Sequence, residues 1–254
     1  MTAADLGPWL DVEGCFNVRD AGGWATADGA TMRTGVLFRA DEPHRMTPSG
    51  RAVIDGLGLR AVIDLRSPRH FDRGDGFLEA PLTFNVPVVD RVIVNAAPRR
   101  VDGPVDIADL YDEMVEDRRD DVVRAVELIA EHIVDGPVLV HCMAGKDRTG
   151  IVVALVQAAI GVPLGSIVEE YVRSDGPTRR RRVAMIADPH PGDPDVANAT
   201  ELIWTAPAQT MELFATRAVA RHGSLEAWPR AIGVSDRALH ALRDHLLDPR
   251  PAAT

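Results

Sequence analysis

Pro137-Val138-Leu139-Val140-His141-Cys142-Met143-Ala144-Gly145-Lys146-Asp147-Arg148-Thr149-Gly150 reads as a strand, a loop and the first turn of a helix. Gly136-Pro137 opens a short apolar, β-branched run, which predicts a buried strand over Pro137–His141. From Thr149 onward Ile151, Val152, Val153, Ala154, Leu155, Val156, Ala158 and Ile160 are apolar almost all round, until Gly161 and Pro163. That pattern predicts a buried helix with a stop. The loop between them turns backbone N–H groups and the positive end of a helix toward the space above Cys142. An oxyanion such as phosphate is the occupant this field favours.

The same field favours a negative sulfur, and the thiolate is the nucleophilic form of cysteine. Arg148 offers a planar fork for two equatorial phosphate oxygens, whereas Lys146 offers a point charge. Cys142 and Arg148 are thus candidate catalytic residues. Met143, Ala144, Gly145, Lys146, Asp147 and Arg148 form the candidate phosphate cradle. Thr149 is placed to donate its hydroxyl to the sulfur, and His141 to orient the loop. Lys146 is also the only lysine among 28 lysines and arginines, which suggests a specific task.

Competing readings fare unequally. A nucleotide P-loop needs a glycine five positions before its Gly-Lys-Ser/Thr, but Val140 stands there and Asp147 follows the lysine. A metal site needs ligands beyond His141 and Cys142, so no metal or other cofactor is expected. A sulfurtransferase or an arsenate reductase also sets a cysteine in an anion loop, and loop chemistry alone leaves both open. A purely structural buried cysteine would leave Arg148 and the glycines unexplained.

With 254 residues, 46% of them hydrophobic, the chain can bury one substantial core. Cys15 and Cys142 are the two cysteines and make no disulfide framework. A net charge of −10 argues against general nucleic-acid affinity. No apolar run is long enough for stable membrane insertion, and the N-terminus lacks a basic-then-apolar leader, so a cytoplasmic location is expected. Arg179 to Arg182 make a local basic run. It reads as a solvated helix face or as an attractor of acidic phosphopeptides or phosphoinositide headgroups. Arg99-Arg100 form a second basic pair. Oligomeric state is not legible.

His-Cys, five residues, Arg-Thr-Gly resembles the signature of the cysteine-dependent tyrosine and dual-specificity phosphatases. Gly145-Lys146-Asp147-Arg148 resembles its atypical bacterial branch, which includes phosphoinositide phosphatases. Three upstream segments match that branch in order: Phe16-Asn17-Val18-Arg19-Asp20-Ala21-Gly22-Gly23, Leu37-Phe38-Arg39-Ala40-Asp41 and Val62-Ile63-Asp64-Leu65-Arg66-Ser67. The resemblance implies hydrolysis of phosphotyrosine, and of phosphoserine/threonine or phosphoinositides, through a thiophosphoryl-cysteine intermediate. A catalytically silent phosphate-binding protein is the alternative. It also implies supporting roles for Asn17, Arg19 and Asp20 as braces of the loop, and allows export without a recognisable signal. Asp147 is the favoured general acid and the third candidate catalytic residue, with upstream aspartates as alternatives. Asp147 matches the branch's loop aspartate and is the carboxylate nearest Cys142 in sequence, while Asp106, Asp109 and Asp112 lie at the spacing usual for dual-specificity enzymes. Asp64 with Arg66 reads as a local ion pair at a strand end, where sites also form.

The expected fold is α/β, a mostly parallel central sheet flanked by helices, cysteine-phosphatase-like, with residues 1–254 as one phosphatase domain. Strands are predicted at Cys15–Val18, Val36–Arg39, Ala61–Leu65 and Thr83–Val88. Helices are predicted from Thr47 to Leu57 and from Asp120 to Val134, with a C-terminal set at Thr210–His222, Ser224–Ala231 and Ser235–Leu247. Residues 174–208 break the pattern around Asp188-Pro189-His190-Pro191 and are read as a helical lid-like excursion similar to that of the family.

Overall fold

At the centre of the molecule lies β6 (Val138–His141), the strand that delivers Cys142. The computed structural model describes residues 9–71, 82–88, 103–189 and 201–248. Its main sheet has five strands in the order β1 (Arg19–Asp20), β3 (Leu37–Ala40), β6, β4 (Ala61–Asp64) and β5 (Leu82–Asn85). Four of them run parallel, and β1 closes one edge antiparallel. The register sets Ala40, His141, Asp64 and Asn85 side by side. The segments that leave these strands therefore emerge together at the carboxyl edge, where open parallel sheets build their sites. A small ribbon of β2 (Thr31–Met32) and β7 (Leu247–Asp248) joins the two ends of the described chain.

Side chains alternate across the sheet, and so do the two cores. Phe38, Ala40, Val62 and Leu139 face one way, onto Ile54 of α1 (Pro48–Asp55) and Val12 and Val18 of the N-terminal segment. Leu37, Ile63, Val138 and Val140 face the larger layer. That layer holds α3 (Pro104–Asp117), α4 (Arg119–His132), α5 (Asp147–Ala159), α6 (Leu164–Val172), α8 (Ala208–His222), α9 (Ala227–Ala231) and α10 (Asp236–Leu246). α5 is buried on all sides from Thr149 to Ala159, as its unbroken apolar sequence predicts. α2 (Pro68–Phe71) is a single turn after β4.

Thr47 caps α1, its hydroxyl accepting Gly50 N–H at 3.2 Å, and Ser235 caps α10 by accepting Ala238 N–H at 3.3 Å. Elsewhere the structure corrects the sequence reading. The strand expected at Cys15–Val18 forms instead at Arg19–Asp20. Gly14 adopts φ +87 against the Arg45 carbonyl, Cys15 N–H turns back to Val12 O, and the Asp41 carboxylate takes the N–H groups of Phe16 and Asn17. The N–H groups of Cys15, Phe16 and Asn17 are thereby withdrawn from any ladder. Helices α3 and α6 were not predicted. The stretch read as an excursion is helical in its first half, α7 (Asp175–Ala187), and ends in a 3₁₀ turn at Glu201–Trp204. Residues 190–200 and the pair Arg99-Arg100 lie outside the described residues. Among the described residues no helix is long and apolar enough to cross a membrane.

Candidate active site

Cys142 is buried, at 2% exposure, where β6 gives way to α5. The loop after it is held from outside through its carbonyl groups. Met143 O accepts Glu42 N–H at 3.0 Å and Arg181 Nη1 at 2.6 Å. Asn17 Nδ2 donates to Ala144 O at 2.8 Å and Gly145 O at 3.1 Å. Arg39 Nη2 donates to Gly145 O and, at 3.5 Å, to Lys146 O. With the carbonyls pulled outward, the N–H groups point the other way. Among the described residues those of Met143, Ala144, Gly145, Lys146, Asp147 and Arg148 meet no protein acceptor. Unpaired backbone donors at a helix N-terminus are met by an anion. Gly145 makes the turn with φ +63, and a Cβ there would strike the Ala40 carbonyl and approach Asp41 N to 2.8 Å.

The braces are themselves fixed by a buried layer of charge. Arg39 and Arg19 both pair with Glu170 of α6. Arg19 also donates to Asn17 Oδ1, which turns the Asn17 amide toward the loop. Arg181 of α7 reaches Asp41 Oδ2 at 3.2 Å and also pairs with Glu42. Glu42 further meets Arg66 at 3.3 Å. Burial opposes ionisation of Glu170, but Arg19 and Arg39 overcome it and hold its carboxyl below the usual range. Burial opposes ionisation of Glu42 too, and Arg181 leads the cations that pull it below that range. Asp41 is raised by burial despite Arg181 and two backbone donors.

The expected residues fall into place unequally. Asn17 touches the loop, Arg19 acts through Asn17 and Glu170, and Asp20 braces something else: it accepts Gly22 N–H at 2.8 Å and Gly35 N–H, closing the N-terminal turns. Asp64 holds Arg66 through Nε at 3.1 Å and Nη2 at 2.8 Å, the local pair expected. His141 packs Nε2 3.6 Å from Asp64, and burial holds its imidazole below the ordinary histidine range. Thr149 Oγ1 is buried and, among the described residues, has no hydrogen-bond partner, so the expected bond to the Cys142 sulfur is not made. Arg148 rests Nη1 on Leu65 O at 3.1 Å.

Asp147 opens α5 beside the loop. Its Oδ1 accepts the Tyr111 hydroxyl at 2.6 Å and lies 3.2 Å from Lys146 Nζ. Tyr111 in turn shares a 2.9 Å bond with the Tyr171 hydroxyl. Burial and then Asp147 push the Tyr111 phenol well above its ordinary value, so it stays a donor. Lys146 is sequestered: Nζ donates to Ile203 O at 2.8 Å and Thr205 O at 2.9 Å. The other aspartates are committed elsewhere. Asp106 caps α3 through Gly103 N–H at 2.9 Å, Asp109 meets Arg217 at 2.8 Å, and Asp112 meets Arg217 at 2.9 Å and Arg221 at 2.7 Å. Cys15 is half-buried, and burial first and then the Asp41 charge drive its thiol far above the ordinary value.

Tyr111, Glu170 and Tyr171 carry no sequence signal of their own. Arg181 had one: in α7 the buried positions Pro177, Thr178, Arg181 and Met185 follow the helical repeat, which turns one of four consecutive arginines inward.

Residues 10–248 match the tyrosine phosphatase family. The chain belongs to that family. It is a phosphoric monoester hydrolase of the cysteine-phosphatase type. It is 30% identical over 276 residues to the triple specificity protein phosphatase PtpB of Mycobacterium tuberculosis, covering 93% of this chain and 98% of that protein. It is 25% identical over 222 residues to a tyrosine-protein phosphatase of Nostoc commune, covering 83% and 74%. Among solved structures, TpbA of Pseudomonas aeruginosa is similar at 17% identity and a TM-score of 0.42, over 83% of this chain and 96% of that one.

Proposed function

We propose that this tyrosine-phosphatase-family chain hydrolyses phosphate monoesters through Cys142. What most supports this reading is the loop itself, with its carbonyls drawn outward by Asn17, Arg39, Arg181 and Glu42 and its N–H groups left to an anion. Cys142 Sγ attacks phosphorus in line, and the S–P bond forms as the bond to the leaving oxygen breaks. The loop N–H groups and the Arg148 fork, released from Leu65 O, stabilise the equatorial oxygens. Asp147 gives its proton to the leaving oxygen. Its carboxylate then takes a proton from the water that cleaves the S–P bond, releasing phosphate and the thiolate.

The proposed substrates are phosphotyrosine, with phosphoserine/threonine and phosphoinositides beside it, a breadth in keeping with a relative named as a triple specificity phosphatase. We take residues 1–254 as one phosphatase domain with 174–208 as a lid, since α7 reaches Met143 O through Arg181 and the 203–205 carbonyls hold Lys146. Thiolate chemistry suits a reducing compartment, which favours the cytoplasm.

The test is initial-rate hydrolysis of a phosphotyrosine peptide, a phosphoserine peptide and soluble short-chain phosphoinositides, in chelator and reductant. Turnover on the phosphotyrosine peptide that vanishes in Cys142→Ser is expected. Phosphate binding without turnover on any substrate would replace the reading with that of a silent phosphate-binding protein.

A further inference from the structure

We propose that the outer face of α7 docks the enzyme on anionic membrane surfaces. This inference rests on the reading above only in naming phosphoinositides as the substrate class it serves. Of the six large apolar side chains exposed on the described surface, three lie on α7 and the turn packed against it: Val183 at 67%, Ile186 at 58% and Ile203 at 44%. They are not scattered. Val183 and Ile186 are three residues apart and share the face of α7 opposite the buried Arg181 and Met185. Met185 in turn packs on Trp204, so the Glu201–Trp204 turn that carries Ile203 is seated on the helix.

Arginines surround this apolar strip. Arg179 and Arg180 are exposed, and Arg180 and Arg182 fall on its two flanks by the helical repeat. Arg179 is tied to Asp175 at 2.8 Å and Glu201 at 3.5 Å. Among the described residues neither Arg180 nor Arg182 forms an ion pair. A short apolar strip with arginines on its flanks is the pattern of an interfacial helix. The partner follows from charge. The chain as a whole carries −10, so an anionic surface repels most of its faces and attracts this one, which orients it. The inner side of the same helix bonds Met143 O through Arg181. Docking through α7 therefore holds the catalytic loop about one helix diameter, roughly 10–12 Å, from the bilayer.

Cosedimentation of the full chain with vesicles tests this, using phosphatidylcholine alone and phosphatidylcholine with about one third phosphatidylserine. Wild type and Cys142→Ser are expected to bind the anionic vesicles alike and to be released at high salt. The double variant Val183→Asp/Ile186→Asp should lower the partition coefficient about tenfold or more, because it removes the apolar contact and adds two like charges. Arg180→Gln/Arg182→Gln should lower it severalfold, and both variants should hydrolyse a soluble aryl phosphate at the wild-type rate, which shows that they fold. No binding of the wild type to anionic vesicles, or equal binding by both variants, overturns the proposal. So does binding to an acidic phosphopeptide column in place of vesicles, which would make the face a protein-docking site. Loss of aryl-phosphate turnover by the wild type would instead defeat the catalytic reading and leave the docking result standing.

Discussion

Asp147 is gripped from two sides, by the buried Tyr111 hydroxyl at 2.6 Å and the Lys146 ammonium at 3.2 Å. Such clamping fixes the carboxyl group beside the catalytic loop, and the proposed general-acid role requires a carboxyl held in place there. Asp147→Asn is expected to lower kcat by about 10²–10⁴-fold on alkyl phosphates, and far less on a nitrophenyl ester, whose leaving group needs no proton. Equal loss on both would remove Asp147 from the proton transfer. Tyr111→Phe deletes the hydroxyl's bonds to Asp147 and Tyr171, each commonly worth about 0.5–1.5 kcal/mol. It should lower kcat roughly ten- to a hundredfold with KM unchanged, again mostly on poor leaving groups. A change confined to KM would show that Tyr111 lines the substrate site and does not position the acid.

The catalytic element is legible in the sequence because its apolar pattern and its loop chemistry are local. β6 and α5 stand within two residues of where periodicity puts them. Asn17 aside, what was not legible is what holds the loop. Arg39 comes from β3 and Arg181 from α7, and only the parallel register and the packing of α7 bring them to its carbonyls, while Glu170 of α6 holds Arg39 from behind. Asp20 shows the converse, since a residue inside a matching motif serves turns at Gly22 and Gly35 and leaves the loop alone. At this scale Arg181→Ala is the informative change. It leaves Asp41 and Glu42 buried with a cation missing, a loss of about 3–5 kcal/mol by the measure of broken buried pairs. Urea unfolding should show that loss. A variant as stable as wild type would mean that water or Arg66 substitutes for the strut.

The whole molecule places a layer of paired charges behind the site, and its pH dependence follows from their signs. Glu170, Glu42 and Asp64 have folded pKa values held below the ordinary carboxylate range despite burial, by their arginine and histidine neighbours. Each contributes stability above its unfolded pKa and loses it as pH falls through the lower folded value. His141, depressed by burial, adds a loss that begins as pH falls below the ordinary histidine value. Asp41, raised by burial, acts with the opposite sign and softens the fall. The urea midpoint should therefore decline from pH 7 to pH 4. A midpoint that rises over that range would contradict the charge layer described above. The central claim, that Cys142 carries the phosphoryl group, is tested most directly by acid-quenching the enzyme during turnover of a phosphotyrosine peptide and sequencing the phosphorylated protein fragment by mass spectrometry. The account predicts phosphate on Cys142 in the wild type and none in Cys142→Ser, which should not turn over. Phosphate on another side chain, or undiminished turnover by Cys142→Ser, would contradict it.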